Sequence, residues 1–572
     1  MASIIKRLPI AGTLLAILFL LVQTAGALYL PTIVADIVNN GVIVGNSSYI
    51  WSRGALMAVL SIISLIGAVL NTYCFSRISY KLGSELRHDI YQKVMSFSKT
   101  EFEKFGASSL ITRNTNDVTQ VQNLVEMGLK FLIISPLYLI GGIVLTALLS
   151  PKLGLIFLCT VPFLLVSYAV INRFASPLYV KMQLAIDSLN RHFREGLTGV
   201  KVIRAFSKEN EEYCKYKEDN KAYLSASISA GTIMSFFVPI LTLLISIATL
   251  VIIFVGGYGT AGGDMTVGAI VGAVGYSGQI LMGFGMLTGV ILSIPRGQTS
   301  AKRINEVLDM PLSVTDGANN KNCVKEEISL VFEHVDFKYQ GADKQTLSDI
   351  SFTVKGGQTL AVIGSTGDGK TSLINLLSRF YDPTAGQILL NRTNIRDITQ
   401  DTLRSMVSNT PQTAMLFLGT IRSNMLVGKH DATDEEIWQA LDIANATEFV
   451  RNLPEGLDSV VEKAGGNFSG GQKQRLCIAR ALLKEAFVYV FDDSFSALDF
   501  KTDKQVRISM KPKLARVITV IVAQRISTVI SADIIAVLDK GRIIGLGTHQ
   551  KLSESCPVYQ EIIASQTYKE AI

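Results

Sequence analysis

The chain has 572 residues, and 54 Lys and Arg against 47 Asp and Glu leave a formal net charge of +7. Hydrophobic residues make up 48% and charged residues only 18%, with a mean hydropathy of +0.35. That composition is too apolar for an ordinary soluble enzyme and excludes intrinsic disorder. The 46 glycines and 14 prolines exclude a collagen-like or proline-rich fibre. The six cysteines (Cys74, Cys159, Cys214, Cys323, Cys477 and Cys556) contain no CxxC pair, which argues against a disulfide framework or zinc site.

About 20 apolar residues are needed to cross ~30 Å of hydrocarbon as a helix. Six stretches qualify, at roughly 9–35, 54–76, 129–150, 153–172, 232–257 and 266–294. The first admits a second reading, a cleaved secretion signal with Lys6 and Arg7 ahead of it and Ala25-Gly26-Ala27 as the cleavage site. The apolar run continues through Leu28-Tyr29-Leu30 and Ile33-Val34, which favours a retained helix.

The stretches 36–52 and 258–265 contain no Lys or Arg. Arg77, Lys81, Arg87, Lys93, Lys99, Lys104 and Arg113 follow the second span, and ten basic residues from Arg173 to Lys221 separate the fourth from the fifth. The positive-inside rule then places both termini in the cytoplasm, with Lys152 alone outside. The two basic segments run about 50 to 60 residues each, and stretches such as Leu86–Met95 have helical apolar spacing. Long helices projecting into the cytoplasm fit better than solvated linkers, because neither segment is rich in Gly, Pro or Ser. A linker is expected at 311–325, where Thr315–Asn322 carries turn chemistry. The expected division is a membrane domain over 1–310 and an α/β domain over 326–572.

The sharpest motif, Gly364-Ser365-Thr366-Gly367-Asp368-Gly369-Lys370-Thr371, matches G-x-x-x-x-G-K-[ST]. It lies between a strand candidate, Thr359–Ile363, and a helix candidate, Ser372–Leu377, the context a phosphate-binding loop requires. The glycines let backbone N–H groups converge on phosphates, Lys370 adds charge, and Thr371 offers a hydroxyl to Mg²⁺. Asp368 is out of character in an anion-binding loop, and its side chain is expected to point outward into solvent. About 120 residues later, Ala486–Phe491 reads as a buried strand ending in Asp492-Asp493, where Asp492 suits a Mg²⁺ ligand.

Between them lies Asn467-Phe468-Ser469-Gly470-Gly471-Gln472, ahead of the helical Lys473–Arg480 stretch. With these motifs in this order, the sequence resembles the ATP-binding cassette (ABC) transporter family over essentially its whole length. The resemblance implies an α-helical six-span membrane domain of the exporter type, followed by an α/β P-loop nucleotide-binding domain, with ATP and Mg²⁺ as cofactors. It implies that Tyr339 stacks on adenine, although an ordinary strand tyrosine is the alternative. It also implies that the Walker A residues Gly364 to Ser372 and the signature Ser469, Gly470, Gly471 and Gln472 contact nucleotide, and that Gln412 links Mg²⁺ to the membrane domain. Ser496–Asp499 is similar to the D-loop, and Leu110–Asp117 and Glu195–Phe206 are similar to stretches that feed helices touching the nucleotide-binding domains.

Two departures bear on mechanism. Family members that hydrolyse ATP well carry Glu after the Walker B aspartate and His in the switch position; this chain has Asp493 and Gln524. Aspartate is shorter by one methylene, about 1.5 Å, and glutamine cannot carry the proton charge of histidine. A misplaced base costs ~10²–10⁴-fold in rate. With an intact signature beside an impaired site, the resemblance implies one half of a heterodimeric exporter. Its partner would be a second half-transporter with Glu and His at the matching positions.

The near absence of charge in the spans points to hydrophobic or amphipathic cargo: drug-like compounds, lipids or peptides. Gly272, Gly275, Tyr276, Gly278, Gln279, Met282, Phe284 and Met286 in the sixth stretch suit either close helix packing or an adaptable pocket. A homodimeric exporter or lipid flippase is the main rival, and an ATP-gated sensor or channel is a rival of another class. An importer is disfavoured, because those usually keep the two domains on separate chains. Membrane lipids are expected neighbours and nucleic acid is not. The absence of an Arg/Ser-rich leader is consistent with a bacterial plasma membrane.

Overall fold

The computed structural model describes residues 4, 6–318 and 328–570. The second part of the expected linker, 319–325 with Cys323, lies outside them. The chain divides into two compact units: Met1–Lys93 with Ser108–Asp309, and Val94–Ala107 with Met310–Ile572.

Among the described residues, six helices of the first unit are long and apolar enough to cross a membrane: Ile10–Val42, Ser47–Met95, Ala107–Leu149, Pro151–Thr198, Glu209–Ala261 and Val267–Leu308. Each contains or overlaps one of the six expected stretches. At 1.5 Å per residue, the 49 residues of Ser47–Met95 extend about 73 Å, more than twice a hydrocarbon core. The excess length carries Leu86–Met95, so that basic segment is helical as its spacing requires. Internal ion pairs group the connections at two ends. Lys152 Nζ lies 3.2 Å from Asp264 Oδ2, joining the third-to-fourth connection to the fifth-to-sixth. Arg7 pairs with Asp89, joining the N-terminal segment to the long helix after the second span.

Apolar packing in this unit centres on Leu20, Phe75, Phe157, Tyr276 and Phe284. Where lipid tails are as apolar as leucine, polar bonds and close backbone approach add specificity. Tyr276 is fully buried, and its hydroxyl lies 2.6 Å from Thr32 Oγ1 and 2.9 Å from the Leu28 carbonyl. Ser135 donates to the Gly283 carbonyl at 2.6 Å, and buried Asn71 donates to the Gln23 side chain. These contacts resolve much of the small-residue stripe. A Cβ on Gly272 would lie 2.8 Å from Leu149 Cδ1, and one on Gly275 3.0 Å from Pro31 Cβ. Gly272, Gly275, Tyr276 and Phe284 are therefore packing residues, whereas Gly278 faces open space and Met282 is exposed.

The second unit contains twelve strands among the described residues: β1 (Ser329–Phe337), β2 (Leu347–Lys355), β3 (Thr359–Ile363), β4 (Ala385–Leu390), β5 (Thr393–Asn394), β6 (Val407–Thr410), β7 (Gly419–Thr420), β8 (Val460–Val461), β9 (Val488–Asp492), β10 (Ile518–Val522), β11 (Ile534–Asp539) and β12 (Arg542–Gly547). The main sheet has the order β12-β11-β3-β10-β9-β6; all its pairs are parallel except β11 with β12. A smaller antiparallel sheet has the order β2-β1-β4-β5. The parallel strands are almost uninterrupted apolar runs because both faces are covered. Leu360 and Val362 of β3 enter the core shared with the smaller sheet, while Ala361 and Ile363 face the opposite, helix-lined core. This alternation follows from the two-residue repeat of a strand.

The Val94–Ala107 segment belongs to this unit through its short helix Lys99–Phe105. Ser98 caps the helix and Glu101 completes a capping box. Glu101 is buried, accepts from the Ser313 N–H at 2.8 Å, and is held below the ordinary carboxylate range by hydrogen bonds from Ser98 and Ser313 that outweigh its burial. Tyr381 donates to Glu103 at 3.0 Å. Leu110–Asp117 is one of the two stretches expected to feed helices touching the nucleotide-binding domains. That stretch lies in the membrane unit, where Arg113 meets Glu306 at 3.0 Å and Asp117 meets Ser300 at 2.9 Å. The helix that joins the nucleotide-binding unit precedes it. Glu195–Phe206 likewise lies in the membrane unit, ending one long helix and forming the short helix Val200–Ala205.

Candidate functional site

The site follows from strand order. Adjacent β3, β10 and β9 end at the same edge, and β6 flanks β9. The loops after them deliver the phosphate loop, Gln524, Asp492-Asp493 and Gln412 to one place, at the carboxyl ends of parallel strands where such sheets bind ligands. Register is tight at this edge: Val522 pairs with both Asp492 and Val362, and the Asp493 N–H donates to the Val522 carbonyl at 2.9 Å.

A cavity of about 280 Å³ is lined by Tyr339, Thr346, Thr366, Gly367, Gly369, Lys370, Thr371, Ser372, Gln412, Asp492, Asp493, Val522 and Gln524. The expected residues Tyr339, Gln412, Asp492, Asp493 and Gln524 thus converge with most of the phosphate loop. Gly369 has φ +100°, and a Cβ there would lie 2.7 Å from Leu347 Cδ2, so glycine meets both a conformational and a steric requirement. The Lys370–Leu377 helix starts immediately afterwards, with its N-terminus at the cavity. Lys370 Nζ donates to the Gly364 and Ser365 carbonyls at 2.8 and 2.6 Å. Burial pulls the Lys370 ammonium below its ordinary range, opposed by Asp368, Asp492 and Asp493.

Gly364, Ser365 and Asp368 belong to the loop but do not line the cavity. For Asp368 the outward, solvated expectation is overturned. Its side chain is buried and accepts from the Lys540 N–H at 3.1 Å, because the loop lies against the β11–β12 turn. From there its carboxylate offsets the burial of Lys370, so the anomalous charge in the loop is an internal counterion.

Tyr339 packs edge-on to Phe337 and Tyr381 with centroids 4.7 and 5.2 Å away, and its hydroxyl lies 2.8 Å from Ser372 Oγ. Burial pushes the Asp492 carboxyl up, and the neighbouring Thr371 and Lys370 only partly restore it. Asp493 is also raised, first by burial, against the opposing effects of Arg525, Ser496, Lys370 and a hydrogen bond from Gln412. Its φ of +47° is the left-handed region, a strained setting for a non-glycine residue that recurs at active sites.

No cluster of three His, Cys, Asp or Glu able to hold a metal occurs among the described residues. Mg²⁺ does not need one, since it binds through one or two carboxylates with substrate phosphates and water. Thr371 and Asp492, both on the wall of this cavity, form an all-oxygen pair that fits this demand.

The raised pKa of Asp492 makes a stability prediction. A carboxyl whose folded pKa exceeds its unfolded value favours the fold at low pH, and that contribution is lost as pH rises through the folded pKa. Above its folded pKa Asp492 is ionised in both states and its burial cost is carried in full. Asp492→Asn is expected to raise the melting temperature without Mg²⁺-nucleotide by about 2 °C at pH 7. The gain should shrink as pH falls through the folded pKa, and stabilisation by Mg²⁺-nucleotide should be lost. A lower melting temperature for Asp492→Asn at pH 7 would refute the burial argument.

The signature residues Ser469, Gly470, Gly471 and Gln472 do not line this cavity. Ser469 caps the Gly470–Leu483 helix, with Gln472 reaching back to the Ser469 N–H at 2.9 Å. The motifs missed Gln474, whose amide accepts from the Ala497 N–H at 2.9 Å and donates to Ser496 Oγ at 3.2 Å, tying the signature helix to the D-loop. They also missed Thr346 on the cavity wall and Arg525, which donates to the Ser496 carbonyl at 3.0 Å. Arg525 stands next to Gln524, but only tertiary contact reveals its role.

Residues 13–284 match the family model described as ABC transporter transmembrane region, and residues 347–496 match the one described as ABC transporter. An uncharacterized ABC transporter ATP-binding protein of Mycobacterium tuberculosis is 38% identical over 556 residues, covering 96% of this chain and 95% of that protein. A probable multidrug resistance ABC transporter ATP-binding/permease protein of Bacillus subtilis is 33% identical over 478 residues, covering 83% and 81%. A solved structure of a bacterial Atm1-family ABC exporter with ATP bound is similar with a TM-score of 0.82 and 26% identity, covering 97% of this chain and 98% of that one.

Proposed function

This chain belongs to the ABC transporter family, as an integral-membrane exporter half-transporter with a transmembrane and an ATP-binding domain, and we propose that it is the slow-site subunit of a heterodimeric exporter. One observation carries the reading. Asp493 and Gln524 face the cavity formed by the phosphate loop, while a regular signature helix is presented elsewhere on the same chain. In the proposed dimer, this chain's phosphate loop holds ATP and turns it over slowly, and Ser469 to Gln472 complete the partner's competent site. The partner has Glu and His at the positions of Asp493 and Gln524.

Lys370 and the N-terminus of the following helix would bind the phosphates, Tyr339 the adenine, and Thr371, Asp492 and Gln412 would hold Mg²⁺. The metal would neutralise charge on the phosphate oxygens. Asp493 would orient and deprotonate water, at a disadvantage set by its short side chain, and Gln524 would donate to the γ-phosphate. Gln412 also borders a second cavity lined by Phe97, Lys99 and Phe102, which supports a role in relaying the nucleotide state to the Lys99–Phe105 helix.

The proposed cargo is hydrophobic or amphipathic, supported by the weakly charged spans and the multidrug-resistance name of the Bacillus relative. Basic connections support cytoplasmic termini and a cytoplasmic ATP-binding domain, and the bacterial relatives support residence in a bacterial plasma membrane. ATP turnover should be low for the purified chain alone and rise at least tenfold when the partner is co-purified. Full exporter-like turnover by the lone chain would replace the heterodimer with a homodimeric exporter or flippase.

A further inference from the structure

The loop that carries Gln524 is gripped from a distant part of the chain. Helix Pro557–Glu570 packs on the helix-lined core through buried Tyr559 and partly buried Val558 and Ile562. One turn beyond, the amide of Gln566 clasps the backbone on both sides of Arg525: its Nε2 donates to the Gln524 carbonyl at 2.7 Å, and its Oε1 accepts from the Ile526 N–H at 2.8 Å. Both polar ends of one side chain are therefore used on two main-chain groups of a single loop. Between these anchor points, Arg525 reaches the Ser496 carbonyl at 3.0 Å and lowers the pKa of Asp493 against its burial. Gln524 itself lines the cavity.

We infer that Gln566 is a positioning residue for the switch loop, through which the C-terminal helix holds Gln524 in reach of a γ-phosphate and Arg525 on the D-loop. This rests on the reading of Gln524 as the γ-phosphate donor. A loop with β10 on one side and a four-residue helix, Ile526–Val529, on the other has few contacts of its own to set its backbone. A bidentate amide supplies that constraint without touching nucleotide, so its influence is confined to ligands that meet Gln524. ADP lacks the γ-phosphate and should be indifferent to it.

The test uses the full-length chain in detergent and measures Mg²⁺-ATP and Mg²⁺-ADP affinities with melting temperatures for wild type, Gln566→Met, Gln524→Ala and the double variant. Methionine keeps the length of the side chain and removes both hydrogen bonds. Gln566→Met is expected to lower the ATP-over-ADP preference about fivefold, the worth of a net hydrogen bond or two, with ADP affinity and melting temperature unchanged. In the Gln524→Ala background it should add no further loss, because coupled residues are not additive. Equal losses for ATP and ADP would reduce Gln566 to a structural residue and overturn the inference. So would an unchanged preference in Gln566→Met when Gln524→Ala lowers it. If Gln524→Ala itself leaves the preference unchanged, the γ-phosphate reading of Gln524 fails first and this inference falls with it.

Discussion

Asp493→Glu combined with Gln524→His should raise ATP turnover of the purified chain on the order of 10²-fold. That corresponds to about 2.7 kcal/mol of transition-state stabilisation. The argument is geometric. Asp493 directly follows β9 with φ +47°, its N–H tied to Val522 and its carbonyl accepting from Ser496 Oγ at 2.8 Å. These ties hold the backbone near the wall, and the extra methylene of glutamate advances the base about 1.5 Å into the cavity. Burial already raises the pKa of Asp493, so the expected gain comes from reach rather than basicity. Histidine at 524 adds a group that can carry charge opposite the γ-phosphate. The single variants should fall short of the pair, since residues acting as one unit are not additive. Single-turnover and steady-state ATPase measurements would check this, and unchanged rates in the double variant would sink the slow-site reading.

The second large effect is expected from Ser469→Asp. Aspartate caps a helix as well as serine does, so the Gly470–Leu483 helix should retain its N-cap. The substitution nevertheless places a carboxylate where the helix terminus would meet the partner's phosphates. The loss of ATPase in the heterodimer should be about 10²-fold, comparable to removing an electrostatic stabiliser of a transition state. ATP affinity at this chain's own phosphate loop should not change, because the signature lies outside that cavity. Measuring both quantities on the same preparation separates the alternatives. Retained ATPase would deny the signature a role in the partner's site, and a parallel fall in own-site affinity would show that it acts within its own chain.

The parts of this protein legible in the sequence are those whose physical signal is local. A span is a contiguous apolar run, and the six helices appear where such runs occur. The phosphate loop needs only a strand before it and a helix after it, and β3 and Lys370–Leu377 supply them. Asp368 shows the limit. Its charge was visible, but its orientation depends on the Lys540 N–H, 172 residues away, brought up by pairing of β11 with β3.

The same distinction holds throughout. Sequence by itself determined the six-span helical domain, the α/β domain and the phosphate loop between a strand and a helix, because patterning and motif chemistry act over a few neighbouring positions. Only the tertiary structure decided that Lys99–Phe105 joins the nucleotide-binding unit and that Gly272 and Gly275 serve packing. It alone showed that Gln412 and Asp493 line one cavity and that Gln566 grips the switch loop. Each depends on strand order or on the packing of elements far apart in the chain, and a hydrogen bond between two common polar residues leaves no periodic trace along the sequence from which it could be read.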